Sequence, residues 1–130
     1  MKAKNTILDL LLKVQNKETW VEDINDIIYG YSRAVMLCAD SDSGSATSFE
    51  HEHLFHLKKF VSAFNEIDKF DEVLLSKISA KSYCKIISEI TCNYSIAVIE
   101  TMADNEHERT STHLLILKDL GKAFYESIPN

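Results

Sequence analysis

Apolar residues recur at spacings of three and four along nearly the whole chain, which is the period of an amphipathic helix. From about Thr19 to Ala39 the stripe is Trp20, Ile24, Ile27, Ile28, Tyr31, Val35 and Cys38, and from about Ser48 to Phe70 it is Leu54, Leu57, Val61, Phe64 and Ile67. A third stripe, between Ser79 and Ala103, uses Tyr83, Ile87, Ile90, Tyr94, Ala97, Val98 and Met102; a fourth, between Thr110 and Ser127, uses Leu114, Leu117, Leu120 and Phe124. A short helix over Thr6 to Asn16 precedes them, with Asn5 as its N-cap, and Thr19 with Glu22 has the spacing of a capping box for the second helix. "DEVLLSKIS" reads as a helical turn of its own, and "DSDSGSATS", Asp40 to Ser48, as a mobile loop.

Each long helix spans about 20 residues, or ~30 Å. Short connections favour antiparallel neighbours, so the pattern predicts an all-α antiparallel up-down bundle of four long helices plus the short N-terminal helix. Residues 1–130 are read as a single helical domain, with no internal repeat and no linker long enough to divide it. Scarce Gly and Pro, 3 and 1, agree with uninterrupted helices, and 45% hydrophobic residues suffice for one core.

A net charge of −6 argues against nucleic acid and anionic membrane as partners and suits a basic one. The opening "MKAKNTILDLLLKVQNKE" is interrupted by Asp9 and amphipathic, so it reads as a helix and not a leader. No segment approaches the ~20 apolar residues of a membrane span. Cys38, Cys84 and Cys92 are odd in number and lack CxxC spacing, which predicts structural thiols in a reducing cytoplasm.

Antiparallel folding would gather Asp40, Asp42, Glu50, Glu52, Glu100, Asp104, Glu106 and Glu108 at one bundle end, with all five histidines: His51, His53, His56, His107 and His113. Glu50 with His53 is spaced E-x-x-H, and Asp104 with His107 repeats it as D-x-x-H, the i, i+3 arrangement of ligands in helical di-metal sites. With 20 acids and five histidines in the chain such spacing arises readily by chance, and Thr47 with Glu50 also forms a capping box. Capping and a solvated helix start are therefore the preferred account of "SFEHEHLFH", and no metal or cofactor is expected. "DSDSGS" does not fit a calcium loop, since, counting from Asp40, Gly44 falls fifth instead of sixth and His51 takes the twelfth place, where glutamate belongs. Arg109 and His113 in "ERTSTH" resemble the signature of the HEPN ribonucleases but stand closer together than it requires, and a helix-start histidine beside a surface arginine is the plainer reading. No phosphate-binding glycine loop or nucleophile elbow occurs, so catalysis is not expected.

Opposite its core stripe, the second helix carries Glu22, Asp26, Tyr29, Arg33, Met36 and Leu37. On the plainer reading the second half of this helix is buried on both sides. On the sharper one it is an aromatic anchor flanked by carboxylates, suited to a basic site on a partner. The residues "EHEH", "ADNEHE" and "WVEDINDIIYGY" describe a small acidic helical scaffold. In size, charge and fold type it resembles the immunity proteins that neutralise bacterial toxins of contact-dependent inhibition or bacteriocin systems, although no motif of that class is matched. The resemblance implies a cytoplasmic inhibitor, monomeric or homodimeric, that binds its cognate protein toxin through Glu22, Asp26, Tyr29, Arg33, Asp104, Glu106 and Glu108. Two alternatives stay open: a metal-binding bundle or enzyme using the His/Glu-rich end (Glu50, His53, Asp104, His107), and a structural or regulatory homodimer.

Overall fold

The computed structural model describes the backbone of residues 6–40, 48–101 and 104–128, and within the long helices the side chains of 6–36, 52–99 and 108–128. The described residues are all-helical: α1 (Ile7–Val14), α2 (Lys17–Asp40), α3 (Ser48–Asn65), a 3-10 turn (Ile67–Lys69), α4 (Phe70–Leu75), α5 (Ala80–Thr101) and α6 (Asp104–Ser127). The predicted turn of "DEVLLSKIS" is thus α4, and the fourth long helix begins at Asp104, earlier than its apolar stripe. Among the described residues no helix is long and apolar enough to cross a membrane.

Helix starts are set by short polar side chains. Thr6 Oγ1 accepts from Asp9 N at 3.1 Å, Asn16 Oδ1 from Thr19 N at 2.8 Å and Ser79 Oγ from Ser82 N at 3.1 Å. Asn16 therefore takes the capping place expected of the Thr19–Glu22 pair, because the helix begins two residues before Thr19. The α1 cap is Thr6; Asn5, like Thr47, lies outside the described residues, as do the side chains of Cys38 and Glu50.

Contacts pair the helices end to end. Trp20, early in α2, stacks on Phe64 near the end of α3 with centroids 5.9 Å apart, whereas Tyr31, further along, reaches His53 early in α3. The α5/α6 pair repeats this, with Tyr83 against Phe124 at 5.0 Å and Tyr94 against His113.

The likeness is systematic, and it corrects the expectation of no internal repeat. "INDIIYGYSRAV" of α2 corresponds to "ISEITCNYSIAV" of α5, 63 residues on; "HLFHLKKFVSAFNE" of α3 corresponds to "HLLILKDLGKAFYE" of α6, 60 residues on. Buried positions match: Trp20, Ile24, Ile27, Tyr31 and Ala34 against Tyr83, Ile87, Ile90, Tyr94 and Ala97, and Leu57, Phe60, Ala63 and Phe64 against Leu117, Leu120, Ala123 and Phe124. Even the short helices agree. Trp20 Nε1 donates to the Leu11 carbonyl in α1 at 2.8 Å, and Tyr83 Oη donates to the Leu74 carbonyl in α4 at 2.7 Å. The molecule is two copies of one three-helix unit, α1–α3 and α4–α6.

Contacts between copies come in matched sets: α1 packs on α6 as α4 packs on α3, while α2 meets α5 and α1 meets α4. Those pairings are the ones an approximate two-fold axis produces. Tyr31 and Tyr94, with centroids 5.4 Å apart, are equivalent residues in mutual contact and mark where it passes.

Candidate functional site

At that axis the apolar core holds a polar layer. Tyr31 Oη lies 2.8 Å from His53 Nδ1, and Tyr94 Oη lies 2.7 Å from His113 Nδ1. Each tyrosine ring is also near-parallel to its histidine, at centroid distances of 6.0 and 5.9 Å. Both histidines are buried. This overturns the reading of a solvated helix start for His53, and of a helix-start position for His113, because α6 begins at Asp104; Arg109 is exposed, as expected of a surface arginine. Each histidine occupies the first place of a buried stripe, four residues ahead of Leu57 or Leu117, and the helix carries it inward.

An acid from the opposite copy faces each histidine. His53 Nε2 is 3.9 Å from Glu89 Oε1, and the equivalent acid, Asp26, acts with Asp23 to raise the pKa of His113. Burial, helped by the Arg109 charge, outweighs them and holds His113 below the ordinary imidazole value. A neutral imidazole can accept the tyrosine hydroxyl at Nδ1 while keeping its proton on Nε2. Each bond lies within its own copy and sets α2 against α3 or α5 against α6, while the Tyr31–Tyr94 ring contact and the His53–Glu89 approach join the copies.

His56 is a third, distinct case. Its Nδ1 is buried without a hydrogen-bond partner, its ring stands edge-on to Tyr83, and burial first and the Lys59 charge second lower its pKa. Burial likewise pushes the Tyr83 hydroxyl up to about 12 and raises the Cys84 thiol, while Cys92 is exposed.

Of the residues assigned to metal binding by spacing, His53 has its Nδ1 engaged by Tyr31. The side chains of Glu50, Asp104 and His107 lie outside the described residues, as do those of Asp40, Asp42, His51, Glu100 and Glu106 at the predicted acidic end. Among the described residues no three His, Cys, Asp or Glu side chains are placed to hold a metal ion.

The stripe of α2 to which partner binding is assigned from the sequence is better defined. Glu22, Asp26, Tyr29, Arg33 and Met36 are all exposed, Tyr29 at 61% and Met36 at 67%. The second half of α2 is therefore not buried on both sides as far as Met36; the side chain of Leu37 lies outside the described residues. Glu108 and Arg109 are exposed at the far end of the molecule from Trp20. Tyr29 and Met36 are thus large side chains held in solvent on a helix whose other face, Trp20, Ile24, Ile27 and Tyr31, is buried.

Missing from the sequence reading were Tyr31 and Tyr94 as hydrogen-bond partners and His53 and His113 as core. The signal was present as a repeated H-x-x-x-L spacing in phase with both apolar stripes. Comparison with known protein families, with curated proteins and with solved structures returns no match.

Proposed function

We propose that this protein is a small binding protein that neutralises a cognate basic protein toxin by direct contact, as an immunity protein does. In this reading the four long helices form an up-down antiparallel bundle, the protein acts in the cytoplasm, and the outer face of α2 is the contact surface. What supports the reading is one observation: Glu22, Asp26, Tyr29 and Met36 stand exposed on one face of a helix anchored by Trp20, Ile24, Ile27 and Tyr31. Carboxylates steer a cationic partner, and Tyr29 with Met36 supplies the area buried on arrival. Asp104, Glu106 and Glu108 extend the acidic surface in this proposal.

An immunity protein is encoded beside its toxin, so the test is made with the product of the adjacent gene. Tyr29→Ala and Asp26→Lys should each abolish protection of cells expressing that product while the purified variants keep the helical spectrum of the parent. Undiminished protection by both variants rules the α2 face out.

A further inference from the structure

The two copies agree inside and differ outside, and the differences are complementary. On the outer face of α2 stand Glu18 and Glu22; their equivalents on α5 are Lys81 and Lys85, all four exposed. Tyr29 corresponds to Cys92, Ile28 to Thr91, and Val61 of α3 to Gly121 of α6. Where the first copy presents large side chains, the second opens a groove of about 540 Å³ between α5 and α6, lined by Thr91, Cys92, Lys118, Gly121, Lys122 and Tyr125. Gly121 is not required for close packing, because a Cβ there would meet Ile87 Cγ2 at 3.4 Å, an ordinary contact. A glycine within a helix is less stable than alanine by roughly 0.5–1 kcal/mol, and here it keeps the groove open.

Both starts, Trp20 of α2 and Tyr83 of α5, lie against the end of α3, at Phe64 and Phe60, and Tyr31 meets Tyr94 further along. The two helices therefore run in the same direction at the same height, with their outer faces turned away from each other by the approximate two-fold. A second molecule set alongside in the same orientation brings its α2 face to the α5 face of the first. Glu18 and Glu22 then oppose Lys81 and Lys85, Tyr29 opposes the space over Thr91 and Gly121, and Met36 opposes Ile99, which is 71% exposed.

We infer that the α5–α6 groove is the docking site for the acidic α2 face of a second copy of this chain. Such a contact joins two different surfaces, so association proceeds head to tail. It occupies the stripe that the toxin reading uses, so the two interactions exclude one another. The inference itself rests only on the two faces, and its test needs the full-length protein alone.

The test is sedimentation velocity on the parent, on Glu18→Lys/Glu22→Lys and on Lys81→Glu/Lys85→Glu, each checked for an unchanged helical spectrum. At low salt the parent should gain mass with concentration, passing beyond a dimer, and salt should reverse this. Each variant alone should associate at least about tenfold more weakly. Mixed in equal amounts they should regain the concentration-dependent growth of the parent, alternating along the assembly, since each face of one variant then meets a face of opposite charge on the other. The chain carrying all four substitutions should associate like the parent. A parent that stays monomeric at every soluble concentration overturns the inference. So does loss of association in the α5 variant alone, which would place a groove against a groove.

Discussion

The three-helix unit α1–α3 and the unit α4–α6 share an interior to the level of individual hydrogen bonds, yet hardly share an exterior. Tyr31–His53 and Tyr94–His113 are superimposable in kind, at 2.8 and 2.7 Å, as are the bonds of Trp20 and Tyr83 to carbonyls of the preceding short helices. Outside, Glu18 and Glu22 of one copy correspond to Lys81 and Lys85 of the other, and Tyr29 corresponds to Cys92 in the groove. The difference separates what the fold needs from what is left for recognition: positions alike in both copies hold the molecule together, and positions that differ are where each face has its own use. Asp26 falls in both groups, since its counterpart Glu89 is also an acid set toward a histidine of the other copy.

The largest effect expected is on the shared interior. Trp20→Ala and Tyr83→Ala each remove a fully buried ring and its hydrogen bond, and each should lose about 3–5 kcal/mol of unfolding free energy in urea titrations. A large inequality between them would break the equivalence of the copies.

The two described helix-interior glycines should respond with opposite sign. A Cβ on Gly30 would overlap Tyr94 Oη and come within 3.3 Å of Tyr94 Cζ and 3.4 Å of His113 Cε1, so Gly30→Ala should destabilise by about 1–3 kcal/mol. Gly121→Ala, on the open groove, should stabilise by roughly 0.5–1 kcal/mol. Thermal melts of the two variants give the answer directly.

Acid should weaken the fold through its buried imidazoles. His113 and His56 both have folded pKa values below the unfolded value of 6.5. The unfolded chain therefore binds more protons as pH falls through 6.5, and stability drops until pH passes below the folded values, where this contribution levels off. Above 6.5 the contribution is fully present. Urea midpoints between pH 8 and 5 should fall, and His113→Gln should flatten the curve.

Much of this interior was legible in the sequence, because it obeys the 3.6-residue period. Trp20, Ile24, Ile27, Tyr31, Leu57, Phe64, Tyr83, Ile87, Ile90, Tyr94, Ala97, Val98, Leu117, Leu120 and Phe124 were all expected to face inward and are buried. The histidines were misjudged because a titratable side chain at a helix start reads as solvated, and only the tyrosine opposite removes the penalty of burying it. The repeat escaped notice for a geometric reason: the two helix pairs are joined by connections of different length. One shift of the chain aligns α2 with α5 and another aligns α3 with α6. Shared residues also sit on buried stripes, diluted by surface positions that have nothing in common. The α2 face was visible as a pattern of Glu22, Asp26, Tyr29, Arg33 and Met36, but whether it was covered depended on where the other helices pack.

The smallest effect on stability belongs to that face. Tyr29→Ala and Glu22→Lys should each change unfolding free energy by no more than about 0.5 kcal/mol, since both side chains project into solvent. The same two substitutions bear on the central claim most directly through calorimetric titration of the purified protein with the product of the adjacent gene. The account predicts tight binding by the parent and at least a ~30-fold loss for the Glu22→Lys/Tyr29→Ala double variant, the scale of a hot-spot residue, with the melting temperature unchanged. Equal affinity for parent and double variant, or no binding by the parent, would contradict it.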